Sequence, residues 1–183
     1  MKKLLAILAT AILTVNISLG YTTKETKADS STEIDEMTAI IVWDSCNDDI
    51  RKTLPSEYLA YACAIEPWEF EYMAQVIYAE SNRSTDWSDF EDQVLIACVI
   101  LNRVESTSFR NTISGVLDEP GQFSTTSNGY CSCSSTESSR WAVVEAQRRL
   151  QNDEIPHNLL YFNCIGYATT PYCYEGGNYF SLG

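Results

Sequence analysis

The stretch Gln93 to Val104, QVLIACVILNRV, constrains the fold of this chain more than any other. Val94, Leu95, Ala97, Cys98, Val99, Ile100 and Leu101 follow one another almost without a polar break. Such a run is too long for an ordinary strand and too apolar for a surface helix. It reads as a helix buried on most of its sides, which other elements must wrap. Ser88 and Glu91, just ahead of it, have the Ser-x-x-Glu spacing of a capping box.

The nearest element able to cover that helix is Trp68 to Ser81, WEFEYMAQVIYAES. Pro67 suits the first position of a helix, where no backbone donor is needed. Read as a helix, the segment puts Met73, Val76, Ile77 and Glu80 on one face. Three of these are apolar and require burial; Glu80 ends the stripe. A carboxyl held against apolar neighbours has its charged form disfavoured and can act as a general acid near neutral pH. The same position is also that of a last helical residue reaching past the core into water. Asn82 to Asp86 are turn formers and close the helix.

Around this pair the pattern is mixed. Ile40 to Trp43 is a β-prone run, expected as an edge strand or as an apolar anchor for a linker. Tyr58, Leu59 and Ala62 suggest one or two helical turns after Pro55. Residues 124–139 are rich in Ser, Thr, Gly and Cys and read as a loop. Ser139 to Gln151 places Val143, Ala146 and Leu150 on one helix face. Leu159 to Phe162 reads as a buried strand or turn, and the tail, Tyr172 to Phe180, is aromatic and glycine-containing. Asn102 and Arg103 are expected to fix the end of the central helix against the one that carries Glu80.

Lys2 and Lys3 precede the apolar run Leu4 to Leu19, the layout of a secretory signal, with cleavage expected after Ala28 or Gly20. The run is short for a membrane span, so no stable membrane insertion is expected after its removal. The expected division is a signal at 1–28, an acidic lead-in or linker at 29–55 and a catalytic domain at 56–183. The net charge is −13, and loss of residues 1–28 removes Lys2, Lys3, Lys24, Lys27 and Glu25, leaving the chain more acidic still. That charge argues against nucleic acid and anionic membrane surfaces as partners. The seven cysteines suit an oxidising compartment but are odd in number. Cys98 reads as a small buried hydrophobe, while Cys46 with Cys63 and Cys164 with Cys173 are spaced so that each pair is able to bridge.

The residues narrow the chemistry. Thiol or serine hydrolysis needs an imidazole beside the nucleophile, and the one histidine, His157, lies in a turn. Cys98 sits in apolar company that keeps a thiol inert. Zinc chemistry usually draws on several histidines, and Cys131-Ser132-Cys133 has none near it. Neither a metal nor a cofactor is expected. Carboxylate acid chemistry, as in glycoside cleavage, stays open. Asp86, Asp89, Glu91 and Asp92 are candidates for a second carboxylate, and a one-carboxylate route exists if a sugar hydroxyl attacks the anomeric carbon.

Five groups of residues occur in a recognisable order: Tyr78-Ala79-Glu80; Gln93 to Val104 ending Ile100-Leu101-Asn102-Arg103-Val104; Phe109 with Thr112, Ile113 and Val116; Gly121-Gln122-Phe123-Ser124; and Leu160-Tyr161-Phe162. Over residues 66–183 the chain resembles the catalytic domain of the spore cortex-lytic cell wall hydrolase family. The resemblance implies an α+β, mainly helical, lysozyme-like single domain with a small amount of β structure. It implies a secreted, wall-associated enzyme that cuts peptidoglycan glycan strands between N-acetylmuramic acid and N-acetylglucosamine, typically as a lytic transglycosylase. The family's catalytic glutamate falls on Glu80, and Gln122, Phe123, Ser124 and Tyr161 are then expected to line the sugar groove. Two departures stand out. The family often continues its glutamate as Glu-Ala-Arg-Gly-Glu, where this chain has Glu80-Ser81-Asn82-Arg83-Ser84. The family tail usually carries a histidine beside glycine, where this chain has Gly176-Gly177-Asn178. A non-catalytic wall-binding protein on the same fold is the alternative these departures support.

Overall fold

Seven helices and two small antiparallel sheets are formed by the residues that the computed structural model describes, 34–83, 87–123, 125–127 and 129–183. The expected signal and most of the residues just after it lie outside these, as do Ser84, Thr85, Asp86, Ser124 and Asn128. The helices are α1 (Glu36–Ser45), α2 (Asp48–Arg51), α3 (Ser56–Ala62), α4 (Pro67–Glu80), α5 (Phe90–Glu105), α6 (Ile113–Leu117) and α7 (Glu137–Gln151). Strands β1 (Thr126–Ser127) and β2 (Tyr130–Cys131) form a short hairpin between α6 and α7. Strands β3 (Leu159–Asn163), β4 (Thr170–Glu175) and β5 (Asn178–Leu182) form a sheet with β5 in the middle. The architecture is α+β and mainly helical.

The central helix is where its apolar run places it. Every residue from Val94 to Ile100 is buried in α5. Its most extensive partner is α7, which also packs on α4, so α7 joins the two helices as much as they join each other. Pro67 opens α4, and Met73, Val76 and Ile77 are fully buried. Each such side chain contributes about 1.5–3 kcal/mol by leaving water, which fixes the rotation of α4 and with it the direction of Glu80.

Two local expectations change. The β-prone run Ile40 to Trp43 lies inside α1 rather than in a strand. Asp35 caps this helix by accepting from the Thr38 N–H at 2.9 Å, and Ala39 and Val42 are buried, with α3 as the main neighbour. Cap and packing override the β-branched propensity. The capping box expected at Ser88 and Glu91 does not form; Asp89 is the N-cap of α5 and makes no side-chain capping bond. Glu91 instead takes both Arg149 Nη1 and Nη2, at 2.6 and 2.9 Å, a charge-assisted fork stronger than a neutral cap. A capping box is present at α7, between Thr136 and Ser139.

The sheet excludes one disulfide that the cysteine spacing left open. Cys164 follows β3 and Cys173 lies on β4, strands that flank β5 on opposite sides. Strands separated by a third lie roughly 10 Å apart, whereas a disulfide needs Cα atoms within about 7 Å. Cys46 and Cys63 are likewise unbonded. Cys98 is fully buried, as its apolar neighbours suggested, and burial pushes its thiol up to about 12.

Candidate active site

Glu80 is the last residue of α4 and is half-buried. The chain leaves the helix sharply there. Ser81, fully buried, donates its N–H to the Ile77 carbonyl, and Asn82 and Arg83 both take left-handed backbone at φ 57°. Arg83 then donates its N–H to the Tyr78 carbonyl at 3.1 Å, closing the helix end. Asparagine accepts that conformation more readily than most residues. The Glu-Ser-Asn-Arg sequence, a departure from the family pattern, is therefore a tight helix stop.

The loop after α6 comes back to this point. The Thr125 hydroxyl donates to Glu80 Oε1 at 2.9 Å. The β1–β2 hairpin brings Cys131 opposite Thr126, and the Cys131 thiol is raised chiefly by burial, with the Glu80 charge a smaller contribution. Three further fastenings hold this Ser/Thr-rich loop to α4 and its surroundings. Asp118 accepts from the Tyr72 hydroxyl at 2.8 Å and from the Gly129 N–H at 2.9 Å. Thr126 donates to the Leu117 carbonyl at 2.8 Å. Glu71 accepts from Ser56 at 2.6 Å and from Ser135 at 2.7 Å. A stretch that reads from its composition as a loop is tied at several points to the helix that presents Glu80 and its surroundings.

The other expected groove residues separate. Gln122 is exposed on the same loop as Thr125. Phe123 turns the other way: it is only 5% exposed and packs against Phe162, which stacks on Phe180. It packs and is not presented to a sugar. Ser124 lies outside the described residues. Tyr161, half-buried, sits against Phe109, and the Arg103 guanidinium lies 4.9 Å from the Phe109 ring, 5.6 Å from Phe123 and 5.9 Å from Tyr161. Arg103 Nε donates to the Leu160 carbonyl at 2.8 Å, and Asn102 donates to the carbonyls of Pro156 and Leu159, both at 3.0 Å. These two residues therefore fasten α5 not to α4 but to the entry of β3, where the backbone carbonyls of Pro156, Leu159 and Leu160 serve as acceptors.

Thr125 was missed by reasoning from sequence. It directly follows Gly121-Gln122-Phe123-Ser124, and adjacency was the only signal available. Of the carboxylates considered as a second acid, Glu91 is in its fork with Arg149, Asp86 lies outside the described residues, and Asp92 is fully buried beneath the β4–β5 turn. His157 is exposed and contacts Asp153 at 3.1 Å. A groove of about 670 Å³ lies at the opposite end of α4, lined by Ile65, Glu66, Pro67, Asn102, Glu105 and His157 among others. Fourteen helical residues put that groove roughly 20 Å from Glu80.

Comparison with known proteins places this geometry in company. The family model described as Cell Wall Hydrolase matches residues 87–177, a span that begins after Glu80. The chain is similar to the spore cortex-lytic enzyme of Bacillus cereus, 37% identical over 95 residues, which is 52% of this chain and 34% of that one. It is similar to the spore cortex-lytic enzyme of Bacillus subtilis, 35% identical over 104 residues, 57% of this chain and 32% of that one. The chain thus spans about a third of the length of the curated relatives it matches. Among solved structures, the catalytic domain of the Bacillus cereus SleB protein superposes with a TM-score of 0.51 at 30% identity, covering 63% of this chain and 91% of that one. The catalytic domain of the germination-specific lytic transglycosylase SleB from Bacillus anthracis gives a TM-score of 0.50 at 26% identity, covering 63% and 95%.

Proposed function

The chain belongs to the cell wall hydrolase family, and from that premise we propose that it cuts peptidoglycan glycan strands between N-acetylmuramic acid and N-acetylglucosamine as a lytic transglycosylase, with Glu80 as the acid. The observation that carries the reading is the placement of Glu80. It is a half-buried carboxyl at the end of a helix whose rotation is fixed by the core, held by the hydroxyl of Thr125. In the proposed reaction Glu80 protonates the glycosidic oxygen and the bond from that oxygen to the muramyl anomeric carbon breaks. The carboxylate left behind then takes the proton of the muramyl 6-hydroxyl as that oxygen closes on the anomeric carbon. The acid is restored, no water is consumed, and a 1,6-anhydro end is left.

Thr125 fixes the rotation of the carboxyl through both steps. Gln122, Ser124 and Tyr161 are proposed to contact the sugars, while Phe123 supports the loop from the core side. The substrate places the enzyme outside the membrane, and residues 1–28 are proposed as the secretory signal that delivers it. No helix among the described residues is long and apolar enough to cross a membrane.

Digestion of purified peptidoglycan followed by mass spectrometry tests the reading. Anhydromuropeptides are expected from the wild type, with a drop of at least about 100-fold in Glu80→Gln, the usual scale for a lost general acid. Reducing ends would assign hydrolysis in place of transglycosylation. Undiminished release by Glu80→Gln would remove Glu80 from the role. Wall binding with no fragments at all would favour the non-catalytic alternative.

A further inference from the structure

Asp92 is a fully buried carboxyl that the proposed reaction does not use. It lies in the first turn of α5, beneath the hairpin turn that joins β4 to β5. Both of its oxygens accept from Asn178 Nδ2, at 3.0 and 3.2 Å. The turn itself is Gly176-Gly177, with φ of 55° and 95°, the two-residue geometry that glycine supplies best. Glycine is also needed at 176 for space. A Cβ there would lie 2.4 Å from the Asp92 Cβ, so the turn rests directly on the carboxyl.

The other side of the turn faces the helix stop. Asn82 Nδ2 donates to the Gly176 carbonyl at 2.7 Å, and a Cβ on Gly177 would lie 3.3 Å from the same nitrogen. Asn82 is two residues beyond Glu80 and holds the left-handed backbone that ends α4. The contacts thus run unbroken from Asp92 to Asn178 and Gly176, from Gly176 to Asn82, and from Asn82 to the peptide that sets Glu80.

We propose that Asp92 is a positioning residue for Glu80, acting through the β4–β5 turn and Asn82. The inference rests on the reading of Glu80 as the acid. Burial also raises the Asp92 carboxyl to about 7, against the smaller opposing effect of Asn178. The titratable groups that face it are Asp89, just before α5, and Glu175 and Cys173 on β4. Ionised, Asp92 offers Asn178 two acceptors; protonated, one of its oxygens becomes a donor. Because burial disfavours the ionised form, the contact that keeps Asp92 beneath the turn weakens as the carboxyl ionises, and the clamp on Asn82 is firmest below about pH 7.

The test compares Asp92→Asn and Asn82→Gly with wild type and Glu80→Gln on soluble glycan-strand fragments, recording kcat and KM from pH 5 to 9. Asn82→Gly accepts the left-handed backbone, removes the exposed side chain with its amide, and touches nothing buried, so it decides the matter if Asp92→Asn folds poorly. A roughly 10-fold fall in kcat with KM changed less than about 3-fold is expected for Asn82→Gly, the signature of a misplaced acid. In Asp92→Asn the wild-type step in kcat near pH 7 is expected to vanish. Wild-type kcat in both variants with the step retained would overturn the inference, even with Glu80→Gln inactive. If Glu80→Gln stays active, the reading of Glu80 has failed instead. Amide hydrogen exchange then decides the clamp on its own: faster exchange at residues 80–83 in Asp92→Asn supports it, and unchanged exchange overturns it.

Discussion

Helix α5 buries polar side chains at both ends, and the two ends are built on different principles. At the C-terminal end the Asn102 amide donates to the carbonyls of Pro156 and Leu159, and Arg103 Nε donates to that of Leu160. The acceptors are backbone carbonyls at a strand entry, and the Arg103 cation, whose Nη1 has no hydrogen-bond partner among the described residues, is shared with three aromatic rings. Burial lowers the Arg103 guanidinium to about 10, which still leaves it charged throughout the ordinary pH range. At the N-terminal end Asp92 has one amide donor, and Gln93 has no hydrogen-bond partner for its side chain among the described residues. One end is a fixed weld onto the sheet. The other is a titratable contact with a hairpin that touches the end of the Glu80 helix. Polar burial thus serves architecture at one end and, on our inference, the placement of the acid at the other.

The comparison breaks most visibly at the weld. Asn102→Leu is expected to cost roughly 2 kcal/mol, because the buried Leu159 carbonyl loses this donor and the half-buried Pro156 carbonyl keeps only its bond from the Leu159 N–H, while the volume stays nearly the same. The loss is expected to be equal at pH 5 and pH 8, since no titrating group takes part. Urea denaturation at both pH values measures it, and a cost that changed by more than about 1 kcal/mol between them would mean that the C-terminal end is also coupled to titration.

The same experiment on the opposite end has a pH sign. Asp92 binds its proton more tightly when folded, with the folded value about 7 against an ordinary 3.8. Between those values the folded chain holds a proton that the unfolded chain has released. This contribution to stability is present in full below the unfolded value and is lost as pH rises through about 7. Asp92→Asn removes the buried charge. It is therefore expected to raise Tm relative to wild type at pH 8, on the order of a few degrees, and to leave it nearly unchanged at pH 4. Equal effects at both pH values would place Asp92 outside the titrating contact.

These two ends also mark how far the sequence carries. The body of α5 was legible because seven apolar residues crowd into one run, and the rotation of α4 because Met73, Val76 and Ile77 share a face. Both signals are local and periodic. The partner of Arg103 lies 57 residues away and is a carbonyl, a group every residue carries, so no pattern in the chain could point to it. Ile40 to Trp43 misled because β-branched side chains indicate extended structure only until a cap and a packing face decide otherwise. Thr125 is one hydroxyl in a stretch full of them, and only the return of the loop to Glu80 sets it apart. Asp92 looked like one more acidic residue before a helix; what distinguishes it is a turn of two glycines some eighty residues downstream.

Gln93 gives the finest test of the contrast. Its side chain is fully buried, and neither its amide nitrogen nor its oxygen has a hydrogen-bond partner among the described residues. A buried amide of that kind costs free energy without a compensating bond. Gln93→Met keeps the unbranched shape and removes both polar atoms. If the N-terminal end of α5 carries polar groups for function and not for stability, this variant gains about 1 kcal/mol in urea denaturation. The step near pH 7 in kcat is then expected to persist, because Asp92 and Asn178 are untouched. A loss of stability instead would show that the amide has a partner after all, and the N-terminal end would then resemble the weld at the other end more closely than the contacts of Asp92 suggest.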